Sequence, residues 1–125
     1  MLLDKLKNII PHKGNEYPKD FQKIIQNLYP SSDPNEKIVS IIWEAYLFSK
    51  KAHGSQLRRS GEPYFNHCSS VGIKLSEWRM DANTITAGLL HDTIEDTSVT
   101  RDQVVEQFGE EIADLVEGVS KLSGI

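Results

Sequence analysis

The stretch GLLHDTIEDT, residues 88–97, holds one histidine and three carboxylates close together: His91, Asp92, Glu95 and Asp96. Leu89 and Leu90 belong to a helical apolar stripe, so the spacing predicts a helix running on to about Asp96. Residues four apart stack on one helix face, which puts His91 under Glu95 and Asp92 under Asp96 as two neighbouring polar columns. Imidazole nitrogen and carboxylate oxygen together suit a divalent cation such as manganese, iron or zinc. A cation would also offset the mutual repulsion of the acids and their place at a helix C-terminus, where the macrodipole disfavours each negative charge by about 0.3–1 kcal/mol. A solvated acidic helix end would show the same residues, and spacing alone does not separate the two.

Two further groups could join such a site. His67, in EPYFNHC, follows Pro63 by one helical turn, with Tyr64 and Cys68 as apolar neighbours. A histidine so placed is more often a hydrogen-bonded packing residue than a ligand, but with His91 and Asp92 it would make a set of two histidines and one aspartate. The segment HGSQLRRSGEPY carries Arg58, Arg59 and Ser60 beside Gly61. Guanidinium forks on flexible backbone suit phosphate oxygens or stack on a base, although a surface loop with two arginines is common.

The elements that must position these groups read as helices throughout. Apolar spacing marks five or six of them, with no period-two strand, internal repeat or low-complexity tract. Leu2, Leu3, Leu6, Ile9 and Ile10 predict a short helix ended by Pro11; Phe21, Ile24, Ile25 and Leu28 predict another ended by Pro30. A third opens at DPNE, with Asp33 as cap and Pro34 at the first helical position, and carries Ile38, Ile41, Ile42, Ala45, Phe48 and Ala52. After the glycine- and serine-rich loop, Pro63 starts a helix with Tyr64, Cys68, Val71 and Leu75 on one face, and Asp81 caps the next. Val99, Thr100, Gln103 and Val104 have the spacing of a hydrophobic staple around a capping box, and Phe108-Gly109 closes that short helix. The last segment presents Ile112, Leu115, Val116, Val119 and Leu122, an apolar face that such spacing normally continues onto a following helix, so truncation is expected on the C-terminal side.

Composition narrows the function classes. A chain of 125 residues suits one all-α domain. With 14 Lys plus Arg against 18 Asp plus Glu, net charge −4, it offers no general basic surface to a nucleic acid. The single Cys68 excludes an internal disulfide and argues against a thiolate zinc site, which fits a reducing cytoplasm. No run of about 18 apolar residues exists to span a membrane.

Three segments carry a resemblance: AYLFSKKAHGSQLRRSGEPYFNHCSSV, AGLLHDTIEDT and FGEEIADLVEGVSKL, together about residues 45–122. They resemble the hydrolase domain of the RelA/SpoT homologues, enzymes of the alarmone (p)ppGpp and the stringent response, within the HD phosphohydrolase superfamily. The resemblance implies an all-α HD-type helical bundle over residues 34–125, incomplete at its C-terminal side, preceded by an N-terminal helical extension over 1–33. It implies manganese held by His67, His91 and Asp92, with Glu95 and Asp96 orienting and activating the attacking water. It implies nucleotide contacts from Arg58, Arg59 and Ser60. A fourth metal ligand, an aspartate in a downstream segment resembling KLADRLHN, has no counterpart in this sequence. His53 takes a structural role beside the site, and His12 matches no motif. Cys68 stands where the family usually has proline, and Ser55 where it usually has glycine.

The function so implied is metal-dependent hydrolysis of the 3′-diphosphate of (p)ppGpp to GDP or GTP and pyrophosphate, in a cytoplasmic protein whose long relatives also carry a synthetase domain. The expected partner is the small-molecule alarmone, with no nucleic acid and no membrane, and the exposed last helix offers a surface for self-association. A catalytically silent alarmone-binding or regulatory module, and an HD phosphohydrolase of another nucleotide, are the competing readings.

Overall fold

A computed structural model describes residues 16–123 and places seven helices there, with no strand among the described residues. They are α1 (Lys19–Leu28), α2 (Glu36–His53), α3 (Tyr64–Glu77), α4 (Ala82–Leu90), α5 (Thr93–Asp96), α6 (Arg101–Phe108) and α7 (Glu110–Ser123). The helix expected over residues 2–10, His12 and the side chain of Leu122 lie outside what is described. No helix among the described residues is long and apolar enough to cross a membrane.

The centre is α4. From Ile85 to Leu90 every residue is buried, as befits a helix apolar on all sides, and α2, α3 and α7 pack around it. Asp81 caps α4 as expected, its carboxylate accepting from Thr84 N–H at 3.1 Å. α1 lies along α3 and buries Phe21 and Ile24 in the common core. Tyr17, Phe21, Trp43, Tyr46 and Phe65 form a continuous aromatic cluster with centroids 4.8–5.5 Å apart. At its edge Asp20 accepts from Tyr46 Oη at 2.9 Å, Ser69 Oγ at 2.6 Å and Phe21 N–H at 2.8 Å, tying α1 to both α2 and α3.

Three expectations shift in register. α2 is capped by Asn35, whose side chain accepts from Ile38 N–H at 3.2 Å, and starts at Glu36; Asp33 is not the cap. Asn caps as well as Asp does, and the asparagine stands where the chain turns from extended to helical. Packing against α1, α3 and α4 selects as the buried face of α2 Val39, Ile42, Trp43, Ala45, Tyr46, Ser49 and His53, while Ile41 stays 40% exposed. On α3 the fully buried face is Phe65, Cys68, Ser69, Gly72 and Ser76, with Tyr64, Val71 and Leu75 half-buried at its flank.

α3 and α4 approach closely because glycines face the contact. A Cβ on Gly88 would lie 2.4 Å from Leu75 Cδ1, and one on Gly72 would lie 2.7 Å from Leu89 Cδ2. This brings the start of α3 beside the end of α4. Downstream, Thr100 and Gln103 form the expected capping box of α6, and Val104 of α6 and Ile112, Ala113 and Val116 of α7 complete the core.

Candidate divalent-cation site

The predicted continuous helix through His91 to Asp96 is broken, and the break makes the site. α4 ends at Leu90; Asp92, at φ −99° and ψ 0°, sits in the sparsely allowed bridge region before the single turn of α5. Side chains take over the carbonyls of the last turn: His91 Nδ1 lies 2.7 Å from Gly88 O, and Thr93 Oγ1 donates to Leu90 O at 2.7 Å. The acids at 95 and 96 therefore do not burden the end of a long helix; Asp96 still stands one turn on from Asp92 as the spacing predicts, its N–H donating to Asp92 O at 2.9 Å.

His91 is buried and Asp92 nearly so, and His67, in the first turn of α3, faces them from across the contact. One ligand atom from each of the three lies within 4.8 Å of the others. His91 Nε2 is 2.9 Å and His67 Nε2 3.6 Å from the same oxygen, Asp92 Oδ2. Ligand atoms each about 2.0–2.2 Å from one cation have separations of this size.

The proton positions test the fit. A carbonyl only accepts, so His91 Nδ1 carries a hydrogen for Gly88 O. Its Nε2 then faces a carboxylate oxygen, an arrangement that requires positive charge between them: a proton or a metal ion. Burial opposes the imidazolium of His91, but the Asp92 carboxylate outweighs it and raises the pKa above the ordinary imidazole value. Burial likewise opposes ionised Asp92, yet hydrogen bonds from His91 and Tyr64 hold its carboxyl below the usual range. Burial and the neighbouring His91 lower the pKa of His67, which keeps its imidazole neutral and able to ligate. The donor set fits a divalent cation.

Tyr64 is the residue that sequence reasoning missed, having placed it among the apolar neighbours. Its hydroxyl donates to Asp92 Oδ2 at 2.7 Å and stands 3.1 Å from Asp96 Oδ2. The available signal was its position three residues before His67, on the same face of a helix. His53 has the structural role expected of it: buried, 3.0 Å from Gln56 Oε1 through Nδ1 and 3.5 Å from Cys68 Sγ through Nε2, it stacks on the Tyr64 ring at 4.8 Å. Cys68 is fully buried, and burial pushes its thiol up to about 12.

Asp96 and Glu95 are both exposed on this turn, and Asp96 is linked to the His67–His91–Asp92 group through Tyr64. Arg58, Arg59 and Ser60 are exposed on a tight turn in which Arg58 N–H donates to Glu62 O and Gly61 N–H to Arg58 O, both at 2.9 Å. Gly61, at φ +87°, supplies the left-handed backbone this turn requires. The Arg58 charge adds a small share to the lowering of the His67 pKa, behind burial and His91. A separate cleft of about 360 Å³, lined by Asp20, Asn66, Ser69, Lys74 and Glu77 among others, contains none of these residues, and Asp20 there is already engaged by three donors.

A helical bundle presenting two histidines and an aspartate at a broken helix defines a class, and comparison agrees: residues 45–125 match the HD domain family, to which this chain belongs. Among curated proteins it is 47% identical over 109 residues to a Mycoplasma pneumoniae protein named as a probable guanosine-3′,5′-bis(diphosphate) 3′-pyrophosphohydrolase, covering 86% of this chain and 14% of that protein. It is 52% identical over 84 residues to the Aquifex aeolicus guanosine-3′,5′-bis(diphosphate) 3′-pyrophosphohydrolase, covering 67% and 12%. It is 43% identical over 109 residues to a Myxococcus xanthus GTP pyrophosphokinase, covering 87% and 14%. The chain spans about one seventh of the length of these relatives.

Proposed function

We propose that this chain forms the core of a manganese-dependent hydrolase site that removes the 3′-diphosphate of (p)ppGpp, giving GDP or GTP and pyrophosphate. The observation that carries it is the convergence of His67, His91 and Asp92 on one point with Asp96 held alongside. The names of the two pyrophosphohydrolase relatives supply the substrate class.

In this reading His67 Nε2, His91 Nε2 and Asp92 Oδ2 hold the cation, and Gly88 O keeps the His91 ring turned toward it. The bound ion would supply Lewis acidity at the phosphoryl oxygens and lower the pKa of a water. Asp96, with Glu95 beside it, accepts the proton of the attacking water. The water oxygen joins phosphorus, the bond from phosphorus to the ribose 3′-oxygen breaks, and that oxygen leaves with a proton. Arg58 and Arg59 meet the phosphates and the guanine from the neighbouring turn, with Ser60 adding a hydroxyl.

Pyrophosphate release from ppGpp in Mn²⁺, with and without a chelator, tests the reading against dNTPs and cyclic nucleotides run beside it. Release from ppGpp that the chelator and Asp92→Asn both abolish is the expected result. Release from another nucleotide only would reassign the substrate, and tight ppGpp binding without turnover would favour a silent alarmone-binding module.

A further inference from the structure

We infer that Tyr64 is a positioning residue whose hydroxyl couples the cation ligand Asp92 to the water-activating Asp96, setting both the affinity for the cation and the orientation of the acid. This rests on the assignment of His67, His91 and Asp92 as cation ligands.

The ring and the hydroxyl of Tyr64 do different jobs. The ring is held on one side by His53, stacked at 4.8 Å with 22° between planes, and meets His67 edge-on at 5.8 Å on another. His53 is itself fixed by Gln56 Oε1 and by the buried Cys68, so the tyrosine has one direction in which to point. Phenylalanine would serve that packing equally well. The hydroxyl instead leaves the core and reaches two carboxylates on another element, Asp92 Oδ2 at 2.7 Å and Asp96 Oδ2 at 3.1 Å.

The oxygen it reaches on Asp92 is the one nearest both histidines. A hydrogen bond there fixes the carboxylate rotamer at the ligand position, the role that outer partners play around metal sites. The phenol carries a single proton, which a bifurcated hydrogen bond shares between Asp92, the shorter contact, and Asp96. Asp92 and Asp96 lie at the two ends of a single helical turn, where two like charges would otherwise push apart. The hydroxyl between them offsets that repulsion and holds Oδ2 of Asp96, an exposed residue, to the same phenol oxygen that meets Asp92. Asp92 provides no side-chain cap to α5, so its carboxylate is not drawn onto the N–H groups of the turn that follows it.

The test titrates Mn²⁺ alone calorimetrically into the unsubstituted protein, Tyr64→Phe, Asp92→Asn and the pair Asp96→Asn with and without Tyr64→Phe. Binding by the unsubstituted protein that Asp92→Asn abolishes establishes the ligand assignment. Tyr64→Phe is expected to weaken the affinity about tenfold, with the cation-free melting temperature nearly unchanged. Its effect on the Asp96→Asn background should differ from its effect alone, showing the coupling. In turnover, kcat for pyrophosphate release should fall with KM for ppGpp preserved. If the unsubstituted protein does not bind Mn²⁺, the ligand assignment fails and the inference with it. If it binds and Tyr64→Phe stays within twofold, the inference alone is overturned. A lowered melting temperature with unchanged affinity would make the hydroxyl a packing group and overturn it as well.

Discussion

Gly88→Ala is the substitution whose consequence follows most directly from the packing. The new Cβ would lie 2.4 Å from Leu75 Cδ1 and 3.3 Å from Val71 Cγ1, both on α3. Carbon atoms in contact prefer about 3.5–4.0 Å, so Leu75 must leave its rotamer or the helices must separate by roughly 1 Å. Overpacking of this kind costs about 1–3 kcal/mol, and alanine in a helix interior returns up to about 1 kcal/mol through propensity. The net effect is a destabilisation of about 1 kcal/mol, or about 4 °C in Tm for a domain of this size. Gly118→Ala provides the internal reference, because its Cβ meets nothing within 4 Å on α7. It gains the propensity without the overlap and should stabilise by about 0.4–1 kcal/mol. Urea unfolding of both variants, followed by far-ultraviolet circular dichroism, isolates the overlap as their difference. Gly88→Ala should also weaken Mn²⁺ binding, because the carbonyl of residue 88 anchors His91 Nδ1. Equal stability of the two alanine variants would refute the account of α3–α4 contact given above.

Asp20→Ala removes the acceptor for Tyr46 Oη and Ser69 Oγ, side chains of residues that are 2% and 3% exposed, and should lower stability by about 2–5 kcal/mol in urea unfolding; a change under about 0.5 kcal/mol would mean that α1 is not joined to the core as described. The Tyr46 pKa is raised, first by burial and then by its hydrogen bond to Asp20, so the folded protein keeps this proton where the unfolded chain loses it. Its contribution to stability is complete below pH about 10 and is lost as pH rises through the folded value. Tyr46→Phe should therefore flatten the alkaline decline measured by denaturant titration above pH 10 by up to about 1.4 kcal/mol per pH unit, and an unchanged slope would refute this. Cys68, fully buried and with its thiol pushed up to about 12, should resist alkylation in the folded protein and react at the unfolding midpoint, so immediate modification of the native protein would contradict its burial.

Local chemistry determined much of this protein before any helix met another. Proline, glycine and capping side chains act within a few residues, so α1, the Asp81 cap of α4, the Thr100–Gln103 box and the loop before Pro63 were legible in the sequence. So was the all-α class, because helical spacing recurs from Phe21 to Val119 with no alternating stretch between. The cap of α2 was misplaced at Asp33 where Asn35 serves, and its buried face was set by the helices that pack on it, which spacing within α2 does not specify. The residues of the candidate site were also named from motif and resemblance, but their arrangement was not. Periodicity carried the helix straight through His91, whereas in the structure His91 and Thr93 side chains occupy the last carbonyls and break it at Asp92. That break, with the glycine-lined contact of α3 on α4, is what sets His67 against His91 and Asp92. Tyr64 acquired its place between Asp92 and Asp96 for the same reason: a hydroxyl at the end of an aromatic ring finds partners 28 and 32 residues away only after the helices that carry them have packed.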